Sequence, residues 1–282
     1  MIATITVKLD DSAADHGAIA LIAPLGIDTE SQAFQSFDPP HGWQSSVVAE
    51  RRTGQLAAIM TPPNSDARAH FKHRFRSGGR GLSPAAFEPE RTSLTIAADE
   101  LAAEARSIAE QAGGGRAGIA AIVSDTSKRF TYGQLPENER WYYGCAAVPT
   151  IACGKGNCID INTFLVAALR AAGNEAVYLT CYFFAHEPSL VTDGMHCWVR
   201  TRCDGVVEDW DIAHFKKVGR EDVHAILNPI PGQRWALAYG RNHIYDWNGL
   251  AIEVPTPSKP MWVLPDGKAI WLQSETVTFE TN

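Results

Sequence analysis

The sequence predicts an α+β protein in which a β-rich N-terminal region, residues 1–95, precedes a larger region of helices and strands, residues 96–282. Segments of alternating apolar and polar residues fill the first region, whereas apolar residues recur at helical spacing from residue 98 onward. An amphipathic helix followed by a strand and a hairpin then indicates a helix packed on an antiparallel sheet. The composition supports a packed core, since 45% of the 282 residues are hydrophobic and 20% are charged.

The N-terminal region contains short segments with the period of two that is typical of strands. These segments are Ala3–Leu9, Ser45–Arg52, Gln55–Thr61 and His70–Arg76. Residues 52–55 form the turn between the second and the third segment. We therefore expect a small β domain at this end of the chain.

Two helices and a long aromatic loop are predicted next. The helices are Ala98–Gly115, which ends in glycines, and Arg116–Phe130. The loop follows at Tyr132–Thr150, and loops of this length inside a compact domain are often functional. Its residues Trp141, Tyr142 and Tyr143 are expected to line a substrate cleft. The alternative is that the three rings pack against the underside of the next helix.

The stretch GKGNCIDINTFLVAALRAAG, residues 154–173, predicts a helix that begins at Cys158 and is ended by Gly173. Asn157 suits the N-cap, and Asp160 stands where it can complete a capping box. Apolar residues at three- and four-residue spacing form one stripe along the helix. They are Ile161, Phe164, Leu165, Ala168, Leu169 and Ala172.

A thiol at the first position of a helix indicates nucleophilic chemistry. The partial positive charge and the free N–H groups of a helix N-terminus lower a cysteine pKa and can stabilise an oxyanion. Gly154 and Gly156 are expected to keep the approach to Cys158 free of side chains, and the adjoining Asn157 is a further candidate substrate contact. The alternative is that Cys158 only fills a gap in the core.

A hairpin downstream offers a base for this thiol. After a buried strand at Ala176–Phe184, two further strands, Met195–Arg202 and Val206–Asp211, are joined through Asp204-Gly205, a strong hairpin signal. A two-residue turn pairs Arg200 with Asp209 as an exposed ion pair. It also leaves His196 diagonally beside Asp211, within side-chain reach. A half-exposed hairpin with scattered polar residues is the alternative.

The segments GNCIDINTFLVAALRAAGNEAVYLTCYF, HCWV and DWD resemble the transglutaminase-like superfamily of papain-like thiol enzymes, in its bacterial form. The likeness covers about residues 99–214. It implies a papain-like core with Cys158 as nucleophile, His196 as base and Asp211, 15 residues further on, as the acid that orients the base. The chain departs from the family at Cys197, where alanine is frequent, and at Ile212, where proline is frequent.

The resemblance implies an acyl-enzyme formed on a peptide, a protein or a small amide. A cysteine peptidase or amidase is the first expectation. A transglutaminase-type acyl transferase in a biosynthetic pathway is the alternative within the enzyme class, because both reactions use the same triad. A binding module that has lost its chemistry is the third possibility. No cofactor is expected.

Other classes of function are disfavoured. A net charge of −7 argues against nucleic acid as a partner. Zinc ligands could come from Cys153, Cys158, His196, Cys197 and Cys203. However, no C-x-x-C pair occurs and Cys197 is expected to point away from His196, so no metal is expected.

The sequence carries fewer signals for the cellular location of the protein and for its oligomeric state. The N-terminus lacks the apolar run of a signal peptide, and we expect a cytoplasmic protein with reduced cysteines and no membrane segment. The tail after His214 is expected to be irregular, apart from one late hairpin at Pro260–Gln273. The sequence does not define an oligomeric state.

Overall fold

A computed structural model describes residues 2–88, 91–185, 191–192, 194–272 and 275–281. Its strands in chain order are β1 Ile2–Leu9, β2 Ala20–Pro24, β3 Gln32–Asp38, β4 Gln44–Ala49, β5 Leu56–Thr61, β6 His70–Ser77, β7 Phe130–Tyr132, β8 Gly154–Gly156, β9 Glu175–Ala185, β10 Val191–Thr192, β11 Met195–Cys203, β12 Val206–Trp210, β13 Gly232–Tyr239, β14 His243–Trp247, β15 Leu250–Val254, β16 Met261–Val263, β17 Ala269–Trp271 and β18 Glu275–Thr281. The α-helices are α1 Ala13–His16, α2 Asp99–Gln111, α3 Gly115–Arg129, α4 Cys158–Ala171 and α5 Ile212–Lys217. The predicted α+β class is confirmed. Within the described ranges, no helix has the length and apolar character needed to cross a bilayer.

The chain forms two compact units. Unit one contains Met1–Ala85, Thr180–Met195 and Gly232–Asn282, and unit two contains Ala86–Leu179 and His196–Pro231. The sequence had placed everything after residue 95 in one domain. The structure instead groups the C-terminal segment with the N-terminal strands, because β18 pairs with β1 and β16 pairs with β2.

Unit one is built on two five-stranded antiparallel sheets. Their strand orders are β10-β18-β1-β6-β3 and β17-β16-β2-β5-β4. Alternate side chains of both sheets meet in one apolar cluster, in which Val7 and Phe75 of the first sheet join Met60 and Trp262 of the second. The four predicted N-terminal strands are confirmed within one to three residues at each end.

The tail is more regular than the sequence indicated. The predicted hairpin is present as β16 and β17, but β13, β14, β15 and β18 were not predicted. β18 takes its partner β1 from the opposite end of the chain, with Phe279 opposite Ile5. Such distant pairing leaves no turn signal in the local sequence. β14 and β15, in contrast, are joined at Asn248-Gly249, whose φ values of 49° and 81° fit a type I′ turn, a local hairpin signal that the sequence analysis missed.

Unit two carries the predicted helices around α4. α2, α3 and α4 pack on one another, and α5 packs against α4. On the strand side, β11 lies between β12 and β9. α4 is buried along nearly all of its length, from Cys158 to Leu169. This burial fixes both the position and the direction of its first turn.

Candidate active site

Helix α4 begins at Cys158 because Asn157 caps it. The Asn157 side-chain oxygen accepts the N–H of Ile159 at 2.8 Å and, more weakly, that of Asp160 at 3.4 Å. In return, the Asp160 carboxylate accepts the N–H of Asn157 at 2.9 Å. This reciprocal arrangement is the capping box that the sequence predicted. Cys158 is thus held at the first helical position, where the helix dipole favours a thiolate.

The two glycines before Cys158 lie where neighbouring residues leave no room for a side chain. Gly156 pairs with Tyr132 in a short parallel ladder between β8 and β7. A Cβ on Gly156 would lie 2.8 Å from the Cβ of Asp160, and one on Gly154 would meet the end of the Ile151 side chain. These glycines therefore allow β8 to pack against α4 and Ile151.

The hairpin of β11 and β12 has the predicted register. Asp204 and Gly205 have φ values of 51° and 76°, as a type I′ turn requires. Arg200 consequently faces Asp209. The ion pair of these two residues is not exposed as expected, since only 7% and 14% of their side-chain surfaces are accessible. The indole of Trp198 also donates to Asp209, at 2.7 Å, and helps to cover the pair.

His196 and Asp211 are brought together, and both are buried. Nε2 of His196 lies 2.9 and 3.0 Å from the two carboxylate oxygens of Asp211. Because Nε2 serves the carboxylate, Nδ1 is the ring nitrogen that can serve Cys158. The Asp211 carboxylate thereby fixes the tautomer of the His196 ring.

The electrostatics favour a thiolate on Cys158. Its pKa is well below the ordinary 9.0, mainly through a hydrogen bond from the Cys197 thiol. Burial opposes this effect, whereas hydrogen bonding and charge from His196, and the charge of Lys217, add to it. Conversely, burial lowers the pKa of His196, but the charge and hydrogen bond of Asp211 and the neighbouring Cys158 outweigh it and raise that pKa above 6.5. Both shifts favour a thiolate on Cys158 beside an imidazolium on His196.

Cys197 contacts the nucleophile, which the sequence analysis did not foresee. Asn162 of α4 donates to the Cys197 carbonyl at 2.9 Å and to its sulfur at 3.5 Å. Burial, together with the adjacent Cys158, raises the Cys197 pKa well above 9.0. Cys197 therefore stays a thiol that donates to Cys158, rather than a second thiolate.

His214 is a member of the site that the sequence analysis missed. It lies in the first turn of α5, for which Asp211 is the N-cap. Its backbone N–H and its Nδ1 both lie 3.1 Å from the Asp211 carboxylate. Its ring is stacked on the ring of His196, with centroids 3.7 Å apart and planes 4° apart. The spacing Asp-x-x-His at a helix start was the available signal, because it places both side chains at one helix end.

Tyr132 and Lys217 lie near the thiol. The ammonium of Lys217 stands 5.0 Å from the centroid of the Tyr132 ring. Burial raises the Tyr132 pKa, and so do the nearby negative groups, Cys158 first among them. These two residues place an aromatic hydroxyl and a positive charge in the neighbourhood of the nucleophile.

The four residues predicted to contact substrate differ in how far they are buried. Trp141 packs against Phe130 and Phe164. Tyr142 is buried beside Trp141, whereas 59% of Tyr143 is exposed. The amide nitrogen of Asn157 donates to Gln134 at 2.7 Å, so this side chain is engaged at both its oxygen and its nitrogen. Of these four residues, only Tyr143 presents its side chain openly to solvent.

The sulfur ligands considered for zinc do not form one cluster. Cys153 is exposed, and Cys203 lies beside Asp204 at the end of the hairpin. Among the described residues, a group with ligand atoms close enough for a metal ion is His196, Asp211 and His214. Both oxygens of its carboxylate already accept hydrogen bonds from the two histidines.

A helix-borne thiol with a histidine and an aspartate on neighbouring strand ends is the arrangement of papain-like thiol enzymes, and the fold supports this general class. Residues 102–210 match the model of the transglutaminase-like superfamily. The resemblance to this superfamily found in the sequence is therefore confirmed for this part of the chain.

Solved structures match this chain at low sequence identity. A proposed cysteine protease from Cytophaga hutchinsonii is 13% identical with a TM-score of 0.52, over 99% of this chain and 96% of that one. A proposed protease from Parabacteroides distasonis is 15% identical with a TM-score of 0.33, over 67% and 42%. The periplasmic domain of TgpA from Pseudomonas aeruginosa is 13% identical with a TM-score of 0.38, over 77% and 88%. A search of curated proteins gave no significant match.

Proposed function

We propose that this protein is a cysteine peptidase or amidase that forms an acyl-enzyme on Cys158, with His196 as base and acid and Asp211 as the residue that orients His196. One observation carries the proposal. A buried imidazole has one nitrogen bonded to a buried carboxylate, which leaves its other nitrogen for the thiol at the start of α4. Each group thus has the neighbour that its catalytic task requires.

The first half of the reaction is acylation. The Cys158 thiolate attacks the carbonyl carbon of the amide, and the carbonyl oxygen takes up negative charge. Asn157 accepts the N–H groups of Ile159 and Asp160, so in the first turn the N–H of Cys158 remains to stabilise this oxyanion. Nδ1 of His196 then gives its proton to the leaving amine, and the C–N bond breaks to leave a thioester.

The second half is hydrolysis of the thioester. Neutral His196 takes a proton from water, the hydroxide attacks the acyl carbon, and the Cys158 thiolate leaves. Asp211 stays ionised throughout, because His196 and His214 outweigh the effect of burial and keep its pKa far below 3.8. If an amine replaced water in this step, the product would be a new amide and the enzyme an acyl transferase. We place hydrolysis first because the Cytophaga hutchinsonii protein, which shares the fold along nearly its whole chain, is described as a proposed protease.

The experiment uses glutamine-containing peptides and activated acyl esters, with intact-protein and peptide mass spectrometry to detect the acyl adduct. An adduct on the peptide that contains Cys158, absent from Cys158→Ala, is the expected result. Release of free acid is then compared with and without an added primary amine. Acid alone supports the hydrolase, and amide formed in preference to acid supports the acyl transferase.

A matched control separates these outcomes from a binding module. Cys153 lies five positions before Cys158 and is exposed, so Cys153→Ser should leave adduct formation unchanged. If haloacetamides label Cys158 no faster than Cys153 at neutral pH, and no acyl adduct forms, the enzyme proposal is wrong.

A further inference from the structure

The side chain of His214 has no part in the reaction as described above, although it contacts two of the proposed catalytic residues. His214 is 1% exposed, and Asp211, which it contacts, is fully buried. Both oxygens of the Asp211 carboxylate accept from His214, one from the backbone N–H and one from Nδ1, each at 3.1 Å. The same two oxygens accept from Nε2 of His196. One carboxylate is therefore held between two imidazoles.

The backbone and the side chain of His214 make different contacts, and each can be changed without the other. Asp211 is the N-cap of α5 through the backbone N–H of His214, and any residue except proline at this position provides that group. The cap therefore does not explain a buried imidazole. What the side chain adds is the second donor to the carboxylate and the stacked ring.

The stacked ring constrains His196. The two rings are nearly parallel, with centroids 3.7 Å apart, so the His196 ring cannot tilt out of its plane without losing this contact. The hydrogen bond from Nδ1 of His214 also restrains rotation of the Asp211 carboxylate. A restrained carboxylate and a restrained ring plane together keep Nδ1 of His196 directed at Cys158.

We propose that His214 is a positioning residue of the active site, which holds Asp211 by its Nδ1–H and thereby keeps His196 aligned with Cys158. This inference rests on the proposed function. The hydrogen bond from His214 to Asp211 is expected to contribute most to the alignment of His196, and the stacking of the two rings to contribute less. A ring at position 214 that stacks on His196 but donates no hydrogen bond to Asp211 should therefore not maintain the wild-type rate of acylation.

Two substitutions separate these contributions. His214→Asn keeps a side-chain N–H near the position of Nδ1, and His214→Phe keeps a stacked ring without a donor. A charge-assisted hydrogen bond contributes about 1.5–3 kcal/mol, so its loss should slow acylation about tenfold or more. We expect His214→Phe to lower kcat by this factor with KM unchanged. His214→Asn keeps a donor to Asp211, so its kcat should stay within about threefold of wild type.

Two controls accompany this comparison. The exposed His224, which contacts Phe215 on the same helix, is the matched site, and His224→Asn should change nothing. Thermal unfolding of each variant identifies loss of folding, and His214→Ala serves as the donor-free variant if the phenylalanine does not fit.

Ring NMR provides a readout that does not depend on turnover. The wild type should show two downfield ring protons, one on Nε2 of His196 and one on Nδ1 of His214, since each is shared with a buried carboxylate. In His214→Asn the His196 proton should persist, and in His214→Phe it should broaden or shift upfield.

Equal kcat values for His214→Phe and wild type, or equal losses in His214→Phe and His214→Asn, would overturn the inference. Failure of the proposed function looks different. In that case wild-type Cys158 forms no acyl adduct, while the two downfield protons are still present and respond to the substitutions.

Discussion

Asp211, and not the nearby Asp209, receives the ring of His196, with Nε2 2.9 and 3.0 Å from its two oxygens. Asp209 lies two residues earlier, and its carboxylate is occupied by Arg200 at 2.8 and 2.9 Å. The register of the hairpin decides this division, because it sets Arg200 directly opposite Asp209. The two aspartates therefore have different roles, although they are close in the sequence.

Asp211→Asn should leave the fold intact and slow acylation by about 10³–10⁴-fold. An amide at this position offers His196 a donor as well as an acceptor, so the ring can hold its proton on Nδ1, where it faces Cys158. In that tautomer Nδ1 of His196 cannot take up the proton of the Cys158 thiol, so the thiolate–imidazolium pair that acylation needs does not form. Single-turnover formation of the acyl adduct measures the loss.

Asp209→Asn is the matched control, and it should lower stability rather than rate. The Arg200–Asp209 pair is largely buried and also accepts from Trp198. We therefore expect a loss of about 1–3 kcal/mol in the free energy of unfolding, measured by denaturant titration. A larger kinetic defect in Asp209→Asn than in Asp211→Asn would contradict the assignment.

The pH dependence should reveal the thiolate–imidazolium pair. The Cys158 pKa is lowered and the His196 pKa is raised, so the pair exists between the two values. Acylation of an amide needs both partners. Its rate should rise as pH rises through the Cys158 pKa and fall as pH rises through the His196 pKa, which gives a bell-shaped profile.

Alkylation of Cys158 by a haloacetamide distinguishes the acid limb of the acylation pH profile from its alkaline limb. It needs only the thiolate, so its rate should rise through the same lower pKa and show no fall at high pH. In Asp211→Asn the alkaline limb of acylation should move to lower pH, because Asp211 is the group that raises the His196 pKa. An alkylation profile that rises only near the ordinary thiol pKa of 9.0 would exclude an activated Cys158.

Gly156→Ala should lower both stability and Cys158 reactivity. The new Cβ would lie 2.8 Å from the Cβ of Asp160, which cannot move without shifting the first turn of α4. Overpacking of this kind costs about 1–3 kcal/mol. Gly154→Ala is the control, since the one close contact of its Cβ is with the flexible end of Ile151. Chemical denaturation and alkylation rates test the pair, and equal effects of both substitutions would refute this account.

Asn157→Ala should lower the stability of the protein, whereas Asn157→Asp should raise the pKa of the Cys158 thiol. Alanine removes the acceptor that caps α4, at a cost of about 0.5–2 kcal/mol in stability. Aspartate keeps the acceptor but adds a negative charge next to Cys158, which raises the thiol pKa. Both variants lose the donor to Gln134, so their difference isolates the cap and the charge. Denaturation and the pH dependence of alkylation measure the two effects, and a destabilised Asn157→Asp with an unchanged thiol pKa would contradict the prediction.

The sequence by itself determined the local features of the site. Helical spacing and the Asn157–Asp160 capping box located the start of α4 at Cys158. The Asp204-Gly205 turn set the hairpin register and thereby distinguished Asp209 from Asp211. These features can be predicted from the sequence because backbone propensity, helix caps and two-residue turns depend on residues within a few positions of one another.

The tertiary structure alone decided which side chains from separate elements meet. The contact of Cys197 with Cys158 and the stacking of His214 on His196 both required the packing of α4, α5 and β11. The pairing of β18 with β1 likewise joins opposite ends of the chain. None of these contacts has a local signature, because each is set by how apolar faces are buried against one another rather than by the conformational preference of the residues involved.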